Sequence, residues 1–163
     1  MFTIDLGLEQ YAPGGIEIIN ETIGAIGETK GFQVLEVGAS AGFCSFRLAK
    51  KYNLPVIATD INPLWVDVIG ERIKKQKLGK LVKTKREDVL KLSFRKGTFN
   101  LVLANGVLYF TDKAGALREI NRVLKKGGFV SLGEPLWLTK DPPYNLSRVL
   151  EIGGAEIAMA EKY

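Results

Sequence analysis

Val34-Leu35-Glu36-Val37-Gly38-Ala39-Ser40-Ala41-Gly42 is the stretch on which the reading of this chain turns. An apolar run of strand length, Gln33 to Gly38, stops at small residues and glycines. The segment from Gly42 to Tyr52 then carries apolar residues at helical spacing and closes on Lys50-Lys51. A near-continuous apolar strand is buried on both faces, and lysines suit the carboxyl end of a helix. Strand, glycine loop and helix in that order form one unit of a parallel sheet.

The pattern repeats outward from this unit. Pro55 to Asp60 reads as a second strand, with proline tolerable because it comes first. Asn62-Pro63 starts a helix, asparagine capping and proline taking the first turn. Leu81 to Arg86 is a weakly apolar third strand, expected at a sheet edge, and Phe99 to Ala104 is the most apolar strand, expected inside the sheet. Thr111-Asp112 caps a helix that carries Leu117, Ile120, Val123 and Leu124 and is closed by Lys125 to Gly128. Phe129 to Gly133 is a fifth strand. A helix from Tyr144 to Ile152 and a strand from Glu156 to Glu161 follow, and a helix from Gly15 to Gly27 precedes the series. The expected fold is α/β: a Rossmann-like, doubly wound, mainly parallel sheet of about six strands, helices on both faces, with a shortened C-terminal part. The 163 residues suit one domain: a helical or lid segment over 1–30, a core over 33–135 and a short tail over 136–163.

Composition removes whole classes of chemistry. There is no histidine and one cysteine, Cys44. Histidine-dependent triads, imidazole acid/base work, thiolate/imidazole metal sites and intrachain disulfides are therefore excluded. The start lacks the basic and apolar regions of a secretory signal, and no apolar run has membrane-helix length, so a cytoplasmic location is expected. The net charge of +5 is concentrated: eleven basic residues lie between Arg72 and Lys96 against Glu87 and Asp88. No aromatic interleaves with them before Phe94, which favours a solvated surface over a nucleic-acid platform.

In a doubly wound sheet, ligands bind beyond the carboxyl ends of the strands. Residues 38–42, 60–62, 87–89, 105–109 and 133–135 are therefore the ones to interrogate. Three templates compete for the first loop. Gly38-Ala39-Ser40-Ala41-Gly42 spells a nucleophile elbow, but no histidine exists to activate Ser40. A dinucleotide fingerprint requires glycine at 38, 40 and 43, and only Gly38 complies. Taken with its context, the loop resembles motif I of the class I S-adenosylmethionine (SAM)-dependent methyltransferases, most closely the small-molecule, type 11-like domains. Asp60 ends the second strand, Asp88 follows the third, and Ala116 to Gly128 looks like that family's fourth helix and the turn after it. The resemblance runs from Gln33 to Pro135. Ser40 stands where a middle glycine is usual, and Asn100 where aspartate is common.

The resemblance implies SAM as cofactor, with NAD ignored. Gly38, Ala39, Ser40 and Gly42 would form the cofactor loop. Asp60 would accept from the ribose hydroxyls, Ile61 would lie on an adenine face, and Asp88 and the Val89 N–H would meet the adenine edge. Glu36 and Asn105 would face the loop and the methionine end, Glu36 mainly supporting the loop. Taken singly, Asp60 could equally be a helix cap, and Asp88 reads more simply as a cap or turn residue than as an adenine ligand. The implied reaction is in-line methyl transfer to a small-molecule acceptor. The alternatives are an RNA or protein methyltransferase and a SAM-binding subunit without activity. If a base is needed, Tyr109 and Glu134 are the candidates near the mouth, and Tyr11 could act as a lid. Asp141-Pro142-Pro143-Tyr144 spells an amino-methyltransferase signature but follows the fifth strand instead of the fourth, so it reads as a turn. Only 28 residues follow Pro135, which predicts an open sheet edge beyond strand five and a homodimer or partner protein covering it.

Overall fold

The computed structural model describes residues 15–137 and 158–159. The elements are α1 (Gly15–Ile26), β1 (Val34–Val37), α2 (Phe43–Tyr52), β2 (Val56–Asp60), α3 (Pro63–Lys75), β3 (Val82–Arg86), β4 (Phe99–Asn105), a 3-10 turn (Leu108–Phe110), α4 (Lys113–Val123), β5 (Leu124–Gly133), β6 (Leu136–Trp137) and β7 (Ala158–Met159). Five strands form one parallel sheet in the order β3-β2-β1-β4-β5. The chain order reverses between β1 and β4, which sets the ligand crevice at their carboxyl ends. As expected, β3 is an edge strand and β4 an interior one.

Period-two alternation divides the strands between two cores. Val34, Leu101 and Leu103 pack with Ile19 of α1 and with Cys44 and Leu48 of α2. Leu35, Val37, Val102 and Ala104 pack on the opposite face with Ala116, Ile120 and Val123 of α4. A third cluster joins Phe46 and Ala49 of α2 to Ile69 of α3. The register sends Glu36 to the α2 face, among buried groups, and this decides much of the site. The α3 cap follows the sequence, Asn62 Oδ1 accepting from Leu64 N at 3.0 Å with Pro63 beside it, whereas Asp112 stands at the N-cap of α4 without a side-chain capping bond. Asn100 serves the sheet, its Oδ1 accepting from Gln33 N and Lys125 Nζ.

Two expectations change. The helix expected to close at Lys125 to Gly128 ends at Val123, because Leu124 already has extended dihedrals and pairs with Phe99. Lys125 to Gly128 instead bulge out of β5, with Gly127 at φ 75°, before Phe129 pairs with Leu101. The terminal strand expected over Glu156 to Glu161 does not join the sheet in its described part: Ala158–Met159 pairs only with Leu136–Trp137. Tyr11, the Asp141 to Tyr144 turn and the Tyr144 to Ile152 helix lie outside the described residues.

Candidate functional site

The loop between β1 and α2 is built on backbone that favours glycine. Gly38 and Gly42 have φ of 63° and 80°, and Ser40, between them, has φ 46°. A Cβ on Gly38 would stand 2.5 Å from Val107 Cγ2, so the loops after β1 and β4 touch where only a hydrogen fits. Ser40 holds its unusual conformation because its N–H donates to Asp60 Oδ2 at 2.9 Å. Asp60 Oδ1 accepts from Asn62 N at 2.9 Å. Asp60 thus ties the first two loops together while Asn62 performs the helix capping. Each Asp60 oxygen keeps a further lone pair for a donor in the cleft.

Glu36 supports the other side of the loop. Gly42, at the N-cap of α2, has no side chain, and Glu36 Oε2 supplies the missing acceptor: Ser45 N donates to it at 2.9 Å, and Ser45 Oγ donates to the same oxygen. Burial raises the Glu36 carboxyl from 4.5 to about 7, against the lowering effect of the Ser45 bonds. Burial, reinforced by the negative charge of Glu36, also pushes the Cys44 thiol far up, so it is no nucleophile at neutral pH. Asn105 Nδ2 approaches Cys44 Sγ at 3.9 Å, while the buried Asn105 Oδ1 has no partner among the described residues.

These groups line a cleft of two lobes. One, of about 340 Å³, runs from Gly38 and Asp60 past Ile61, Trp65, Asp88 and Val89 to Val107 and Phe110. The other, of about 270 Å³, is bounded by Glu36, Ala39, Phe43, Asn105 and Tyr109, and shares Gly38, Ser40, Gly106 and Phe110 with the first. Asp88 is exposed, and its Oδ1 accepts from Leu90 N at 2.9 Å in a turn. Ile61 is 59% exposed and offers a bare apolar face to the first lobe. Every expected cofactor residue therefore lies at this cleft or, like Gly42, in the loop that shapes it.

Glu134, just after β5, has its carboxylate engaged by backbone. Oε1 accepts from Val107 N and Leu108 N at 3.1 and 3.0 Å, and Oε2 from Tyr109 N at 3.1 Å. Partial burial, with Glu134 nearby, raises the Tyr109 phenol above its ordinary value, so it stays protonated at neutral pH. Its ring contacts that of Phe110, centroids 4.0 Å apart, at the rim shared by the lobes.

Phe43, Trp65 and Phe110 were not legible as cleft walls, because they read as helix stripe or loop. Glu87 lies in the 87–89 segment flagged above, but no role was read for it. It is buried beside Asp88 and accepts from Ser93 N at 2.9 Å and from Lys85, fastening the β3 loop. An acid directly before the expected one was the only available signal.

A methyltransferase-domain model matches residues 35–132, more than half of the chain. Demethylmenaquinone methyltransferase of Bacteroides fragilis is 32% identical over 106 residues, which are 63% of this chain and 42% of that protein. A ubiquinone/menaquinone biosynthesis C-methyltransferase of Neisseria meningitidis is 36% identical over 102 residues, 61% of this chain and 41% of its own length. The chain thus spans less than half the length of these curated relatives. Phosphoethanolamine N-methyltransferase 2 of Haemonchus contortus, solved with S-adenosylhomocysteine, superposes with a TM-score of 0.82 at 20% identity, over 92% of this chain and 35% of that one. The glycine loop, the acids after β2 and β3 and the α4 region all fall inside the matched span, and the chain belongs to the methyltransferase-domain family.

Proposed function

We propose that the two-lobed cleft binds SAM and that the chain transfers its methyl group to a small organic acceptor. The observation that carries this is the complementarity of the lobes. One is lined by the Asp60 carboxylate together with apolar Ile61 and Trp65, which suits a ribose and a flat base. The other contains the buried, unpartnered Asn105 Oδ1 beside Glu36, which suits an ammonium donor. When bound, SAM supplies a methyl carbon made electrophilic by its sulfonium.

The protein's work is then to bind, orient and exclude water, and orientation alone is worth about 7–11 kcal/mol of a barrier. Asp60 accepts from the ribose hydroxyls while keeping its bonds to Ser40 and Asn62. Asp88 accepts from the adenine amine through the oxygen not used in its turn. Asn105, with Glu36 behind it, receives the ammonium; arrival of that charge favours the ionised form of Glu36. Tyr109 and Phe110 close the rim. Glu134 acts as a positioning residue: with three N–H groups on its carboxylate, it holds the segment carrying Tyr109 and is a poor general base. The protonated Tyr109 is suited to donate a hydrogen bond to an acceptor molecule.

The quinone-pathway relatives, one of them named a C-methyltransferase, favour an electron-rich carbon as the methyl acceptor. The test is incubation with methyl-labelled SAM and a panel of quinols, phenols, amines and short RNA. Label in a small phenolic product supports the reading, and label only in RNA or protein contradicts it. A second reading, a SAM-binding subunit that needs a partner, is favoured by the outer edge of β5, which pairs with no further strand among the described residues. There Phe129, Val130 and Leu132 are each more than 40% exposed among the described residues. A second copy or a partner protein at this edge is the assembly it suits.

A further inference from the structure

Outside the cleft, α2 and α3 face each other across a groove of about 340 Å³. Phe43, Arg47 and Lys50 line it from α2 at helical spacing, and Arg72, Lys75 and Gln76 from α3 and its cap. Four cations thus converge and no carboxylate lines the groove. Among the described residues none of the four is in an ion pair; the nearest acid on α3, Glu71, pairs with Lys74 instead. Arg72 donates through Nη1 to Ala41 O at 3.0 Å. Among the described residues Arg47 Nε and Gln76 Oε1 are buried without a hydrogen-bond partner.

Facing helix surfaces are ordinarily filled by apolar side chains or by charges of opposite sign. Like charges around a gap, together with a desolvated guanidinium N–H that has no acceptor, constitute a deficit that an anion would remove. We propose that this groove is a binding site for phosphoryl groups borne by a small molecule, a diphosphate fitting its four cations best. Two arginines supply fork-shaped donors matched to phosphate oxygens, and two exposed lysines neutralise the remaining charge. Gln76 can turn its amide to present Nε2 to the same oxygens. Phe43 forms a wall of both the groove and the Asn105 lobe of the cleft, so the site lies beside the cofactor cleft without belonging to it. A nucleic-acid strand is the less suitable occupant, because Phe46 is buried and Phe43 half-buried, leaving no exposed ring for stacking. The proposal stands apart from the methyl-transfer reading and can fail without it.

The test is calorimetric titration of the intact chain with sodium pyrophosphate at constant ionic strength in chloride. Wild type should bind, and Arg47→Gln/Lys75→Gln should bind at least about tenfold more weakly, the loss expected for removing charge-assisted bonds. Lys50→Gln alone, at an exposed position, should show a smaller loss in the same direction. Lys83→Gln/Lys96→Gln, on the basic stretch outside the groove, should bind like wild type. SAM affinity should be unchanged in all of them. Absence of pyrophosphate binding would overturn the proposal, as would equal weakening in the groove and control variants. A parallel loss of SAM affinity would place the anion in the cofactor cleft and equally overturn it. Tighter binding of single-stranded RNA, weakened by both double variants alike, would replace the site with a diffuse basic surface.

Discussion

Replacing Glu134 with glutamine separates its positioning role from that of a base. The carboxylate accepts three backbone N–H groups, two at Oε1 and one at Oε2. Glutamine keeps one acceptor oxygen, which can retain Val107 N and Leu108 N, and turns an NH2 toward the N–H of Tyr109. Bonds to a charged acceptor are worth about 1.5–3 kcal/mol and neutral ones about 0.5–1.5. Exchanging three of the first for two of the second, at a site partly open to water, costs about 2 kcal/mol when the low end of the charged range is used. That cost falls on opening of the 107–110 segment, so hydrogen exchange at the Val107, Leu108 and Tyr109 amides should accelerate roughly 30-fold. Amides in β1 and β4 should keep their protection. Turnover should fall through loss of the ordered rim, while the pH–rate profile keeps its shape. Unchanged exchange at these amides, together with turnover abolished and a limb of the pH profile removed, would refute the reasoning and restore Glu134 as a general base.

Other perturbations test the neighbouring links. Gly38→Ala puts a Cβ 2.5 Å from Val107 Cγ2 at a backbone φ of 63°, and overpacking with left-handed strain should cost about 2–4 kcal/mol in thermal unfolding. Adding Val107→Ala should recover the packing part alone, and full recovery would show that the conformation costs nothing. Glu36, with a carboxyl raised from 4.5 to about 7, binds more protons in the folded state across that interval, so stability falls as pH rises through it, by an amount of order 3 kcal/mol, and levels off above. Glu36→Gln keeps an oxygen for both Ser45 donors and should flatten this dependence; an unaltered slope in denaturant melts would assign it to other groups.

What the sequence made legible depended on how local each feature is. The glycine loop could be read because Gly38 and Gly42 meet a backbone requirement that few other residues satisfy. Asn62-Pro63 could be read because a cap and its helix are contiguous. The Lys125 to Gly128 segment could not be read: helix-closing chemistry and a bulge use the same residues, and the Phe99 to Leu124 pairing that decides between them is non-local. Glu134 was noticed as an acid after a strand, but its three donors lie 25 to 27 residues away. The cationic groove was invisible for the same reason, since Arg47 and Arg72 meet only once α2 and α3 pack. Asp60 was legible as a residue but not in full: its bonds to Ser40 and Asn62 make it a structural tie as well as a ligand candidate.

That double role makes Asp60 the sharpest test of the central claim, that the cleft around Gly38 to Gly42 binds SAM. The measurement is calorimetric titration of wild type and Asp60→Ala with SAM, and with NAD as control, at a temperature where melting curves show both proteins folded. Loss of one or two bonds to a charged acceptor, each worth about 1.5–3 kcal/mol, should weaken SAM binding at least about tenfold in the variant. Wild type should bind SAM and not NAD. Wild-type SAM affinity in folded Asp60→Ala, or binding of NAD without SAM, would contradict the account.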